Sequence, residues 1–218
     1  VAQLFPASAD HLARALIGAA VLAVASLFMI GGAITRSPYV TLQDVPLDQP
    51  VQFSHEHHVA GLGIDCRYCH TSVADSRNAG MPSTKTCMTC HSQIWTSAAI
   101  LEPVRESWRT GVPIAWQRVN NVPDFTHFSH EIHVNTGVSC ATCHGRVNEM
   151  PLMWKAASLQ MQWCLSCHWD PGPNLVPPEE VFNMDYRPPP EQAAAGRERA
   201  ASLGIDPYQI TRCSTCHY

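Results

Sequence analysis

The chain has 218 residues, 45% of them hydrophobic and 15% charged, with a formal net charge of −4. That length suits one domain or two small ones. The acidic balance speaks against a nucleic-acid partner, and 17 prolines with so few charges speak against a fold of long exposed helices.

The first element is an apolar run. Residues 15–35 carry no charged side chain, and Arg14 and Arg36 bracket them. As a helix the run covers roughly 31 Å, about one bilayer core. Ser8 or Asp10 is placed to cap its start. A cleaved signal peptide is the competing reading. The run is longer than a usual signal core, so residues 1–36 are expected to form a short tail and a retained transmembrane anchor in the lipid bilayer. The flanking charges are too balanced to set its orientation.

Two copies of one pattern follow. The first begins Phe53-Ser-His55-Glu-His57-His58-Val59, the second Phe128-Ser-His130-Glu-Ile-His133-Val134, an offset of 75 residues. Each copy continues into two Cys-x-x-Cys-His segments. These are Cys66/Cys69/His70 and Cys87/Cys90/His91 in the first, and Cys140/Cys143/His144 and Cys164/Cys167/His168 in the second. The copies therefore span 53–91 and 128–168. A fifth segment, Cys213/Cys216/His217, stands near the end of the chain and is followed by Tyr218.

These five segments use all 10 cysteines. Two thiols three positions apart can reach the two vinyl groups of one haem and form thioethers, and the following His then ligates the iron. Zinc ribbons need two Cys-x-x-Cys pairs per site, which five pairs cannot supply, and zinc gives no reason for a His behind each pair. Disulfides leave the histidines unexplained as well. Five covalently bound haem c groups are the expected cofactors. Residues 37–218 allow roughly 36 residues for each, small even beside a minimal domain. The haems must then form much of the core and lie near one another, and closely spaced haems conduct electrons. Thioether formation takes place outside the bacterial cytoplasmic membrane. The haem-bearing part is therefore expected on the periplasmic or extracytoplasmic side.

A haem that only transfers electrons also needs a sixth ligand. His55, His58, His130 and His133 stand outside every Cys-x-x-Cys-His segment, at matching positions in the two copies, and are the expected distal ligands. His57 and His127 have no counterpart and are read as structural or solvent-facing, and His11 precedes the anchor. Four distal histidines leave one haem short, so a Met is expected to complete the set. Met161, three residues before Cys164, and Met150, six after His144, are preferred over Met153, Met81 and Met184. A thioether ligand raises the potential above that of a bis-His haem.

The linker 92–127 contains Ile94-Trp95, a short helix expected around Ile100 to Trp108, and Trp116. Its aromatic rings are expected to pack, on haem faces or in ordinary core. Residues 169–218 read as a Pro-rich arm with a short helix at Glu191 to Leu203, carrying the fifth haem. The expected fold is mostly irregular with short α-helices: a tetrahaem part over 37–168, the arm over 169–218, a haem-dominated core, and one N-terminal transmembrane helix.

The Phe-x-His-x-x-His pairs ahead of Cys-x-x-Cys-His segments resemble the class III multihaem cytochromes. In that family the first His ligates the following haem and the second reaches a different one. One anchor, two such copies, Leu101-Glu-Pro-Val-Arg105-Glu-Ser107, Gly111-Val-Pro-Ile114, Pro123-Asp-Phe125 and Met161-Gln-Trp163-Cys164 further resemble the pentahaem cytochrome c subunits of bacterial alternative complex III. The resemblance covers nearly the whole chain, most firmly 50–168. It implies an electron-transfer subunit without catalytic residues of its own, inside a membrane quinol:electron-acceptor oxidoreductase of a respiratory or photosynthetic chain. Its partners would be an iron–sulfur subunit, integral membrane subunits, and a periplasmic acceptor such as a cytochrome c, copper protein or terminal oxidase.

Stand-alone quinol dehydrogenases of the NapC type share the plan of several haems on one anchor. They carry a Met two residues after the His of a membrane-proximal Cys-x-x-Cys-His. Here those positions hold Ser72, Gln93, Arg146 and Asp170. A multihaem reductase needs an open iron position with acid and base groups beside it. The supply of spare histidines argues against one.

Overall fold

A computed structural model of the chain describes residues 5, 6 and 8–217. It divides into two compact units, Val1–Gln43 and Asp44–Tyr218. The tail residues 1–4 and 7, and Tyr218, lie outside the described part.

The first unit is helical. Helix α1 spans Ser8–Arg36 and α2 spans Pro38–Thr41. Nothing in the apolar run breaks α1, whose length and apolar composition suffice to cross a membrane. None of its residues is buried within the chain, so its large apolar side chains, from Leu12 to Ile34, have no protein to pack on. An anchoring helix and a signal sequence both satisfy that description. Asp10 pairs with Arg14 one turn later at 2.9 Å.

The second unit contains α3 (Cys66–Cys69), α4 (Thr84–His91), α5 (Glu102–Thr110), α6 (His130–Thr136), α7 (Cys140–His144), α8 (Met161–Trp169), α9 (Gln192–Ser202), α10 (Pro207–Ile210) and α11 (Cys213–Cys216). A π-helical turn covers Glu56–Gly61, and short 3-10 turns lie between the helices. Among the described residues there is no strand, only isolated bridges such as Pro46 with Trp154 and Val138 with Leu175. Proline interrupts backbone hydrogen bonding too often for longer elements. The helix expected around Ile100–Trp108 forms as a 3-10 turn at Ala99–Leu101 running into α5, and the one expected at Glu191–Leu203 forms as α9.

Apolar packing is sparse. One cluster joins Val51, Leu101 and Val104, with Met88, Ile114 and Trp116 against them. Trp116 packs against this cluster, whereas Trp95 and Trp108 are exposed. A second cluster joins Val138, Leu175 and Ala200. It packs the Pro-rich arm onto the second copy of the repeat. There α9 lies so close to the Gly172–Asn174 turn that a Cβ on Gly196 would collide with the Gly172 carbonyl. Arg197 reaches Asp170 across the same seam at 2.6 Å.

Candidate haem-binding sites

Each Cys-x-x-Cys-His segment is helical from its first Cys to its second, which puts both thiols on one side of a single turn. Sequence sets where two of these turns begin. The Asp65 carboxylate accepts from Arg67 N at 2.8 Å and starts α3, and the Ser139 hydroxyl accepts from Ala141 N at 3.3 Å and starts α7. All ten thiols are unbridged. Burial first, and then the field of neighbouring thiols, pushes Cys140 and Cys143 up to about 12.

The histidines outside these segments face those inside. The ring centroids of His58 and His91 are 6.3 Å apart, those of His130 and His144 6.3 Å, and those of His133 and His168 6.1 Å. His55 lies in the field of His70, which, after burial, helps lower its pKa to about 4. Burial and then His130 hold His144 at about 4 as well. Both rings are thus neutral near pH 7, the form that ligates a metal.

In five of these histidines the second ring nitrogen meets a backbone carbonyl. His58 Nδ1 donates to the Ser54 carbonyl at 2.8 Å, and His133 Nδ1 donates to the Ser129 carbonyl at 2.7 Å. His70 Nδ1 reaches Gly80 O at 2.8 Å, His130 Nδ1 reaches Arg77 O at 2.9 Å, and His168 Nδ1 reaches Ile210 O at 2.8 Å. Donation through Nδ1 fixes the tautomer, leaves Nε2 free as a ligand and raises its basicity. Phe53 stacks on His58 at 4.3 Å and Phe128 on His133 at 4.8 Å, holding the ring planes. Sequence reasoning missed these carbonyl acceptors. Only the Ser ahead of each His-x-x-His, whose carbonyl lies one helical turn before the second His, was a readable signal.

The donor set tests which cofactor fits. Among the described residues, no three His, Cys, Asp or Glu side chains converge on a metal-sized site. Four-ligand protein cages are therefore a poor fit. Imidazoles in facing pairs, about 6 Å between centroids, suit axial ligation of an iron whose other four ligands come from a macrocycle. Each such pair includes one His next to two cysteines on a single helical turn. These residues fit haem c.

The remaining candidates separate. His217 sits beside Phe125 at 5.7 Å, and Thr126 bridges to it. No distal histidine is paired with it among the described ring contacts. Met150 is 1% exposed, its methyl group near Gly145, whereas Met161 is 62% exposed at the start of α8. His57 stacks on Trp95 at 5.9 Å, and the His127 amide donates to Cys216 O at 2.7 Å.

Comparison with known proteins agrees with this chemistry. Residues 51–101 match the family described as cytochrome c7 and related cytochrome c. Over 102 residues the chain is 36% identical to the multiheme cytochrome c subunit of menaquinone reductase from Nitratidesulfovibrio vulgaris. That alignment covers 44% of this chain and 46% of the relative, so the chain matches just under half of the relative's length. Taken with the helix-rich architecture and the repeated attachment segments, these matches make the second unit a multihaem cytochrome c domain.

Proposed function

We propose that this chain is the electron-relay subunit of a membrane quinol:electron-acceptor oxidoreductase of the alternative complex III kind. The observation that carries the relay is the facing of His58, His130 and His133 with His91, His144 and His168 at nearly one separation. A haem held between such a pair would have no open iron position for bond chemistry.

In this reading Cys66/Cys69, Cys87/Cys90, Cys140/Cys143, Cys164/Cys167 and Cys213/Cys216 attach five haems. His70, His91, His144, His168 and His217 are the proximal ligands. His55, His58, His130 and His133 are the distal ligands of the first four sites. A Met completes the fifth, Met161 or Met150; Met161 is exposed at the start of α8, whereas Met150 is enclosed by protein. Bound haem supplies reversible one-electron iron chemistry, graded by axial ligand and burial. The chain's own residues attach, orient and shield it. The carbonyls of Ser54, Ser129, Gly80, Arg77 and Ile210 hold the ligand rings so that little need move when an electron passes.

Helix α1 anchors the domain in the membrane, with residues 37–218 on the periplasmic side as haem attachment requires. The expected partners are an iron–sulfur subunit, integral membrane subunits that handle quinol, and a periplasmic acceptor. The relative's name supports a second reading. In a menaquinone reductase, the same relay would carry electrons towards the quinone rather than away from it.

The test is a haem-stained native gel after mild detergent extraction, with mass spectrometry of the stained band and an intact mass of the chain. A large band with an iron–sulfur protein and polytopic subunits, and a mass equal to polypeptide plus five haems, is expected. A band of this chain alone that oxidises quinol would overturn the subunit reading in favour of a stand-alone quinol dehydrogenase. Electron delivery from reduced cytochrome to quinone by the intact complex would select the menaquinone-reductase direction.

A further inference from the structure

The attachment segments, numbered first to fifth along the sequence, do not meet one another in that order. Tyr68, inside the first, shares a hydrogen bond of 2.9 Å with Thr89, inside the second. The first and third meet a common strip of the arm. The Arg67 guanidinium lies over the Phe182 ring at 4.5 Å, and Cys140 N donates to Val181 O at 3.1 Å. The His130 ring, opposite His144 of the third segment, is held by Arg77 O in the loop that follows His70. The third and fourth are joined by α6, whose His130 and His133 face His144 and His168 one turn apart. The fourth and fifth are joined by His168 Nδ1, which donates to Ile210 O at 2.8 Å, three residues before Cys213.

An independent observation marks the ends. Among the ten cysteines only Cys90, in the second segment, and Cys213, in the fifth, are exposed.

Resting on the relay reading above, we propose that the five haem sites form one unbranched file in the order second, first, third, fourth, fifth. The segment nearest the N-terminus is then an interior station. The second and fifth segments are the two ends, where electrons are exchanged with partner proteins.

The experiment uses the full complex in detergent and variants that mark one site by raising its potential: His58→Met for the second site, His55→Met for the first and His133→Met for the fourth. Intact mass first establishes five attached haems. Fewer than five would sink the relay reading itself, separately from the order. The unmodified chain is poised so that only the Met-ligated fifth site is reduced and diamagnetic, each variant so that the marked site is reduced as well, and electron paramagnetic resonance counts how many of the remaining ferric signals lose further magnetic broadening. One signal is expected to sharpen for His58→Met and one for His133→Met, and two for His55→Met. Two for His58→Met, or one for His55→Met, overturns the order. A second measurement needs no variant. Hydroxyl-radical footprinting of the unmodified chain, free and in the complex, is expected to show protection around 87–95 and 208–217. Protection confined to 140–168 overturns the assignment of the ends.

Discussion

The two copies of the repeat solve one problem with two backbones. In both, the leading Phe meets the first His edge-on (Phe53 with His55 at 4.9 Å, Phe128 with His130 at 4.8 Å) and stacks on the second. In both, the second His donates to the carbonyl four residues back. Yet the first copy is a π-helical turn and the second is α-helical. The cause is one residue. Positions 59–65 separate His58 from Cys66, and 134–139 separate His133 from Cys140. A π turn takes an extra residue per hydrogen-bonded loop, so it absorbs the longer spacing. The closing bonds register this, Ile64 N to His58 O in one copy and Val138 N to His133 O in the other. After that correction the copies come back into step. Gly63 matches Gly137, both with positive φ, and Asp65 matches Ser139 as helix cap. Ring placement is held constant while the backbone beneath it yields.

Substitutions at matched positions sharpen or break this comparison. The largest difference is expected at the two glycines. Both positions carry the left-handed strain of about 1 kcal/mol. A Cβ on Gly63 meets nothing within 4 Å, but on Gly137 it lies 2.8 Å from the Val176 carbonyl. Gly137→Ala should therefore cost ~3 kcal/mol or more and Gly63→Ala only ~1, read from denaturant unfolding of the holoprotein. Equal costs would mean that the arm does not press on the second copy. Next come the second histidines. His58→Ala and His133→Ala should each turn one haem high-spin and raise its potential by on the order of 100 mV, a fraction of the range that axial ligands command. If either variant leaves all haems low-spin, that His is not a ligand.

Smaller effects follow. Phe53→Leu and Phe128→Leu should each lose about 1 kcal/mol from the ring stacking, with similar values in the two copies. A loss in one alone would show that the matched ring geometry is not energetically matched. The smallest effect is expected at Asn135, whose amide donates to the Ala74 carbonyl and ties one copy to the other at 2.9 Å. Asn135→Ala should cost ~0.5 kcal/mol in thermal unfolding, because the bond is exposed. A null result would place the joining of the copies elsewhere, at Glu131 N to Ser76 O and Arg77 Nε to Phe128 O.

What the sequence made legible was whatever is local. A thiol pair and the His behind it lie within one helical turn, so the attachment chemistry is written in five consecutive residues. Helix α9 is readable from its Ala-rich run between prolines. The facing of rings is a different kind of fact. His133 meets His168 across 35 positions, and only the folded backbone settles that choice. The order of the segments is likewise invisible in the chain, because it runs through Tyr68, Phe182 and Ile210, residues with no motif around them. The place of the arm is another such fact, since Leu175 and Ala200 pack on Val138 and fold it back onto the second copy.

The sparse core has a consequence for how such a chain comes to exist. Among the described residues only twelve apolar side chains are buried, several at the seam between the arm and the second copy. At about 25 cal/mol for each Å² of apolar surface hidden, so few side chains offer little against the entropy of ordering the loops. With haems attached as proposed, such a polypeptide would not collapse first and receive its cofactors afterwards. Each thiol pair would be reached while the chain is still open, and compaction would follow attachment.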